Sequence, residues 1–301
     1  MKSITNSTSG AVFRWRPACW LRVSGADAAG FLQGQFSNDL GRLGPRGSIY
    51  GLWLTVKGKV LADSFVRRGL EENEFWIGSY FCPAATVRER LEGYVIADDV
   101  RIEDQTEAWA AVSVLGLDLG RLAALAESEG ALVFGGRRDR DGSLECAYPV
   151  ARGVPASVAT LIAGVCELSR DDVERRRIEA AIPAVPADAG PNDLPNEAGL
   201  EVDAISFTKG CYLGQEVMAR LKAMGQVRRR LRRVRSARGN APVLPSPLFA
   251  DGRQVGEVRS AAGNGAGGWI GLAMISLLAL GMSTALALGP NQDHDVLVMD
   301  R

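Results

Sequence analysis

The sequence predicts an α+β protein: two mixed units followed by a small C-terminal β-barrel. Strand and helix patterns mix irregularly, without the long strand–helix repeat of a parallel α/β sheet, and this mixture occurs twice in succession. After Gly225 the pattern changes to short strands separated by Gly, Pro and Asn turns, as in a small barrel. The expected units are residues 1–105, 106–224 and 225–301.

Each element follows from local pattern. Trp20-Leu21-Arg22-Val23 alternates as a strand does, Ser24 to Asp27 is a turn and N-cap, and Ala28 to Gln35 is a short helix burying Phe31 and Leu32. Ser37-Asn38-Asp39 is a polar break. Tyr50 to Val56 and Val60 to Arg67 are strands joined by the turn Lys57-Gly58-Lys59. Phe75 to Ile77 is a strand, Ala84 to Val95 a helix with Val87, Leu91 and Val95 at helical spacing, and Val100 to Asp104 another strand. In the second unit, Ala108 to Leu115, Ala131 to Phe134 and Leu144 to Pro149 read as strands. Leu119 to Glu129, Ala156 to Ala163 and Arg170 to Ala180 read as helices. Pro183, Pro186, Pro191 and Pro195 make the stretch from Pro183 to Asn196 an extended connection.

Composition excludes several classes. Lys+Arg and Asp+Glu are equal at 35 each, so no global field draws the chain to nucleic acid or membrane. A single histidine, His294, argues against a histidine-based catalytic centre or zinc site, and no metal ligands are expected. Five scattered cysteines, Cys19, Cys82, Cys146, Cys166 and Cys211, have no CxxC spacing and point to reduced thiols in the cytoplasm. Met1 to Gly10 is polar with no apolar segment behind it, which argues against a secretory signal. Trp269 to Leu288 is apolar, but Gly271, Gly281, Ser276, Ser283 and Thr284 interrupt it. Two buried strands, Trp269–Ile275 and Thr284–Leu288 with a turn near Gly281, are expected in place of a membrane span.

The most informative stretch is residues 206–221. Gly210 and Gly214 bracket Cys211 and Tyr212, Lys209 precedes them, and Gln215-Glu216 opens a helix with Val217 and Leu221 on one face and Glu216–Arg220 as an i,i+4 pair. Cys211 is expected in a tight turn, where the helix dipole and Lys209 would favour its thiolate.

Lys209-Gly210-Cys211-Tyr212-Leu213-Gly214-Gln215-Glu216 resembles the signature of YgfZ-type folate-binding proteins, relatives of the glycine cleavage T-protein (aminomethyltransferase). Leu21 to Asp27, Phe31 to Gly34, Ser37 to Asp39, Arg177 to Ala180, Pro195 to Leu200 and Gly271 to Met274 resemble further family segments, so the likeness covers most of the chain. The resemblance implies a three-domain T-protein-like ring, with two ferredoxin-like α+β units and the barrel, around a funnel holding tetrahydrofolate or a one-carbon derivative. It further implies a role with iron–sulfur client or assembly proteins. Glu179 matches the carboxylate that accepts hydrogen bonds from the pterin, and its bland alternative is a solvated helix end. Asn38, Lys209, Tyr212, Gln215 and Arg228 are the other expected cofactor-binding residues.

The chain also departs from the T-protein. Where the latter carries a Gly-Gly-aliphatic-aliphatic-Asp-Asp run, this sequence has Gly58-Lys59-Val60-Leu61-Ala62-Asp63, and Glu179-Ala180-Ala181 lacks a glycine. Asp63 is a surviving catalytic acid or a hairpin residue facing water, the latter favoured. Cys211 is a working thiol, a ligand to a transient cluster or a small buried hydrophobe, while the other four cysteines are expected to be structural. Residues 209–238 hold ten basic side chains against one acid, with Leu231 and Val234 expected inward and no aromatic interleaving. A small polyanion therefore fits better than nucleic acid. Three functions stay open: a folate-binding iron–sulfur factor working through Cys211 without turnover, a folate-dependent one-carbon transferase using Asp63, and an RNA-binding or tRNA-modification factor.

Overall fold

The computed structural model describes residues 10–117, 120–281 and 285–299. The polar opening before Gly10, Leu119 at the start of an expected helix and Thr284 at the start of an expected strand lie outside the described residues.

The chain begins with Ala11–Trp15 (β1), Cys19–Ser24 (β2), Ala28–Gln35 (α1), Ser48–Leu54 (β3), Val60–Arg68 (β4), Phe75–Ser79 (β5), Ala84–Glu92 (α2) and Arg101–Asp104 (β6). The first sheet has the order β3-β4-β5-β2-β6. Strand β4 is buried along almost its whole length, its polar residues Asp63, Ser64 and Arg67 included. Phe31 and Leu32 of α1 and Val87 and Leu91 of α2 are buried, as their spacing predicts.

Next come Trp109–Leu115 (β7), Gly120–Ser128 (α3), Leu132–Gly136 (β8), Ser143–Pro149 (β9), Ala156–Ile162 (α4), Cys166–Glu167 (β10) and Arg170–Glu179 (α5). The second sheet runs β10-β1-β7-β9-β8. Its strand β1 precedes the first sheet in sequence, yet it pairs antiparallel with β7 and parallel with β10. The two sheets are thereby joined at the chain's start.

The remainder holds Pro195–Ala198 (α6), Gln215–Met224 (α7), Arg229–Ser236 (β11), Ser246–Ala250 (β12), Arg253–Gly263 (β13), Trp269–Ser276 (β14), Leu277–Leu280 (α8), Ala285–Leu286 (β15) and Val296–Met299 (β16). The third sheet runs β12-β13-β14-β11-β16-β15, and a bridge between Phe249 and Ala287 brings its two edges together into a nearly closed barrel. Leu231 and Val234 are both buried, the former against the main body and the latter inside the barrel. Among the described residues no helix is long and apolar enough to cross a membrane.

One apolar core runs through all three sheets: Trp20, Trp53 and Ile77 from the first, Trp109 and Phe134 from the second, Leu231 and Leu272 from the third. Arg177, 3% exposed, fastens the same junction. It donates to Asp188 Oδ2 at 2.6 Å, to the Ile182 carbonyl at 2.6 Å and to Ser260 Oγ on β13 at 2.8 Å. Helix α5, capped by Ser169 and Asp172 in a capping box, presents this guanidinium from its last turn.

Arg177→Leu strands Asp188, which is fully buried, without its counter-charge. The expected loss is about 3–5 kcal/mol, read as a lower urea midpoint. Adding Asp188→Ala should recover part of it, and a single variant as stable as wild type would refute the assigned role.

Candidate functional site

The signature loop is built from its glycines and its lysine. Gly214 caps α7 with φ +87, and a Cβ there would sit 2.8 Å from the Thr55 carbonyl. Gly58, at φ +69 in the β3–β4 turn, likewise leaves no room between itself and Val217. The hairpin tip and the start of α7 therefore meet backbone to backbone. Lys209 is 8% exposed, and its ammonium donates to three carbonyls at the end of α1: Gln33 at 2.6 Å, Phe36 at 2.7 Å and Asn38 at 3.0 Å. Burial pulls this ammonium down to about 8, and Asp39 opposes the shift.

This corrects one expectation. All three Lys209 donors are engaged by main-chain oxygens, so the residue anchors the loop and is not directed at the thiol or at a ligand. Helix α7 begins only at Gln215, and Cys211 is exposed, which removes the buried-hydrophobe reading for it. Cys166 is exposed as well, contrary to its expected structural setting, while Cys19, Cys82 and Cys146 are buried. Around the loop, Gln215 Oε1 accepts from the Tyr212 amide at 3.3 Å, and Tyr212 is buried, which pushes its hydroxyl up to about 12. Asn38 spends its amide on the Tyr50 and Asp203 carbonyls at 2.8 and 2.9 Å.

Asp63 lies elsewhere, and its setting overturns the water-facing expectation. It is 6% exposed, on the wall of a cavity of about 440 Å³. Its carboxylate accepts from the Tyr50 hydroxyl at 2.9 Å, the Ser79 hydroxyl at 2.8 Å and the Cys82 thiol at 3.3 Å. Burial raises its pKa, and those hydrogen bonds pull the other way. Burial also pushes the Cys82 thiol up, so it remains a donor. A carboxyl poised in this way can hold or pass a proton at the cavity wall.

Glu179 is exposed at the end of α5 and lines two further cavities of about 480 and 460 Å³. The first of these shares Arg137, Ile182 and Pro183 with the Asp63 cavity, so the two adjoin. Arg137 at this seam donates to Asp203 Oδ2 at 2.9 Å and lies over the Tyr50 ring at 4.2 Å. Arg228 is exposed and lines none of the three cavities. Sequence reasoning missed Arg137, Arg138, Tyr80 and Glu145, which come together through the pairing of β8 with β9 and the hydrogen bonds of the Tyr80 hydroxyl, just after β5, with Glu145 and the Arg137 amide.

Residues 10–122 match the GCVT N-terminal domain family model. Over 291 residues the chain is 30% identical to the iron-sulfur cluster assembly factor IBA57, mitochondrial, of Homo sapiens, covering 90% of this chain and 79% of that protein. Over 82 residues it is 40% identical to the tRNA-modifying protein YgfZ of Vibrio vulnificus, covering 27% of this chain and 25% of that one. Its fold is similar to the crystal structure of the glycine cleavage system aminomethyltransferase T from Bartonella henselae. That match has a TM-score of 0.77 at 17% identity, over 97% of this chain and 85% of the other.

Lys209→Met leaves three carbonyls without their donor and should lower stability at pH 7 by roughly 3 kcal/mol. In the folded chain Lys209 titrates near 8 and in the unfolded chain near 10.5, so between these values the unfolded chain holds the extra proton. Wild-type stability thus gains with rising pH across that window, and its gap over Lys209→Met should widen. Urea melts of both proteins across the window check this; a constant or shrinking gap would count against it.

Proposed function

Because this chain belongs to the YgfZ/IBA57 family of T-protein-like proteins, we propose that it is an iron–sulfur cluster assembly factor that binds a reduced folate and works through Cys211. The observation that carries the reading is the near full-length similarity to a human protein named for that role. The exposed thiol, on a loop pinned by Lys209 and by the glycine contact at Gly214, supplies a group that a client or assembly protein can reach. With one histidine and no second cysteine in the signature, a cluster held by Cys211 takes its remaining ligands from another chain or a small thiol.

Tetrahydrofolate is assigned to the adjoining cavities at α5. Glu179 offers its side-chain oxygens to the amidine-like edge of a pterin, which presents two parallel N–H donors. The cavity it lines holds enough space for the ring, and ligand pockets of this size are common. The folate would serve as a bound cofactor or as a sensor of one-carbon status, with the barrel and α5 closing one side of the site.

A second reading, a one-carbon transferase, is favoured by one observation: Asp63 is on a cavity wall with its proton-holding partners in place. Methylenetetrahydrofolate formed from an aminomethyl donor by wild type but not by Asp63→Asn would support it. No product across such donors would remove it.

Two experiments test the main reading. Glu179→Ala should weaken tetrahydrofolate binding by about tenfold or more, the loss expected for one charge-assisted contact pair, as measured by calorimetry; unchanged affinity would move the pterin elsewhere. In a strain lacking its own family member, wild type should restore the activity of an iron–sulfur enzyme, and Cys211→Ser at equal abundance should not. Rescue by the serine variant would reduce the thiol to a bystander.

A further inference from the structure

The cavity beside Asp63 contains a cation that neither reading above uses. Arg138 is 5% exposed, yet among the described residues it makes no ion pair. Its Nε donates to Ser113 Oγ at 3.2 Å, and its guanidinium lies over the Tyr80 ring at 3.6 Å, Trp15 at 4.7 Å and Phe13 at 5.3 Å. Ring faces attract a cation, but they do not accept the in-plane N–H bonds of a guanidinium fork.

The support behind this side chain is rigid. Glu145, fully buried, accepts from Trp15 Nε1 at 3.1 Å, from the Tyr80 hydroxyl at 2.8 Å and from the hydroxyls of Ser113 and Ser143. One carboxylate thus fixes two of the rings beneath Arg138 and also the hydroxyl that holds its Nε. The terminal amino groups remain for the cavity. Its lining is cationic, with six arginines against three acids. Arg14, Arg137 and Arg177 are engaged by Glu167, Asp203 and Asp188, and Arg16 and Arg170 are exposed at the surface. Among the described residues, Arg138 is the one guanidinium of this lining that is both buried and without an ion-paired carboxylate.

We infer that this cavity is a binding site for an organic carboxylate carried on an aromatic group. The carboxylate would take the open side of the Arg138 fork in a two-point contact, and the attached ring would lie among Trp15, Tyr80 and Phe81, which line the same space. A volume of about 440 Å³ exceeds what a benzoate-sized group fills and falls within the range of small-molecule sites. Glu145 and Ser113 act as positioning residues, holding the guanidinium in place before the ligand arrives. The site does not involve Glu179, so it stands whether or not a pterin occupies the neighbouring cavities.

Calorimetric titration of the full chain with benzoate, and with benzamide as the uncharged shape-match, tests the inference. Benzoate should bind saturably and benzamide about tenfold more weakly or worse, the difference expected for a charge-assisted pair. Arg138→Met should lose the preference for the acid, Arg138→Lys should keep part of it, and Arg138 should matter where the exposed Arg238→Met does not. Equal binding of acid and amide, no saturable benzoate binding at millimolar concentration, or wild-type affinity in Arg138→Met would each overturn it. If Arg138→Met does not fold, the acid–amide comparison on wild type decides. Repeating the titration with saturating tetrahydrofolate identifies the source of the carboxylate. Competition shows that the folate occupies the same space, and simultaneous binding assigns the carboxylate to a separate aromatic acid.

Discussion

One buried ion pair, Arg177 with Asp188, sets the geometry on which the candidate sites depend. Three segments build it: α5 supplies the guanidinium, the proline-rich stretch supplies Asp188 and the Ile182 carbonyl, and β13 supplies Ser260. A fully buried carboxylate left without its counter-charge costs about 3–5 kcal/mol, so the pair favours these three segments assembling together. Arg177 also lines the Asp63 cavity, and Glu179 is two residues further along the same helix. The joint that holds the barrel against the rest therefore also fixes two walls of the cavities.

Polar groups inside such a junction have to satisfy one another. Asp63, Tyr50, Ser79 and Cys82 do so within the first sheet, and Glu145 with Trp15, Tyr80, Ser113 and Ser143 does so at the second. The two clusters face the same cavity from opposite sheets, with Phe65 packed against Tyr80 between them. Both centre on a buried carboxyl group held by neutral donors, and a rigid group of this kind orders the groups that donate to it. Side chains at the cavity wall are thus set by the fold before any ligand is present.

Much of the fold was legible because it is local. Phe31 and Leu32 in α1, the Lys57-Gly58-Lys59 turn and the inward Leu231 and Val234 each follow from spacing over a few residues. Strand β1 was not foreseen, since its partners around Val112 and Cys166 lie far away in the sequence. Asp63 reads in sequence as one acid in a hairpin; its burial is decided by Tyr50 on the neighbouring strand and by Ser79 and Cys82 beyond β4. The likeness to known signatures marked Glu179 and Cys211, but no local pattern marked Arg138, whose aromatic and serine partners are contributed by several strands.

Lys209 shows most plainly how adjacency in sequence misleads. Two residues from Cys211, it invites the reading of a cation that stabilises a thiolate. Its ammonium instead reaches back to carbonyls more than 170 residues earlier in the chain, and the loop is held in place by that contact. Cys211 is then an exposed thiol on a fixed support, with the Lys209 ammonium engaged by those carbonyls. If the proposed function holds, a partner that brings its own cations or metal would act on this thiol from outside the loop. On the proposed function, the signature's lysine and glycines would serve to present the cysteine, and its chemistry would belong to the complex formed around it.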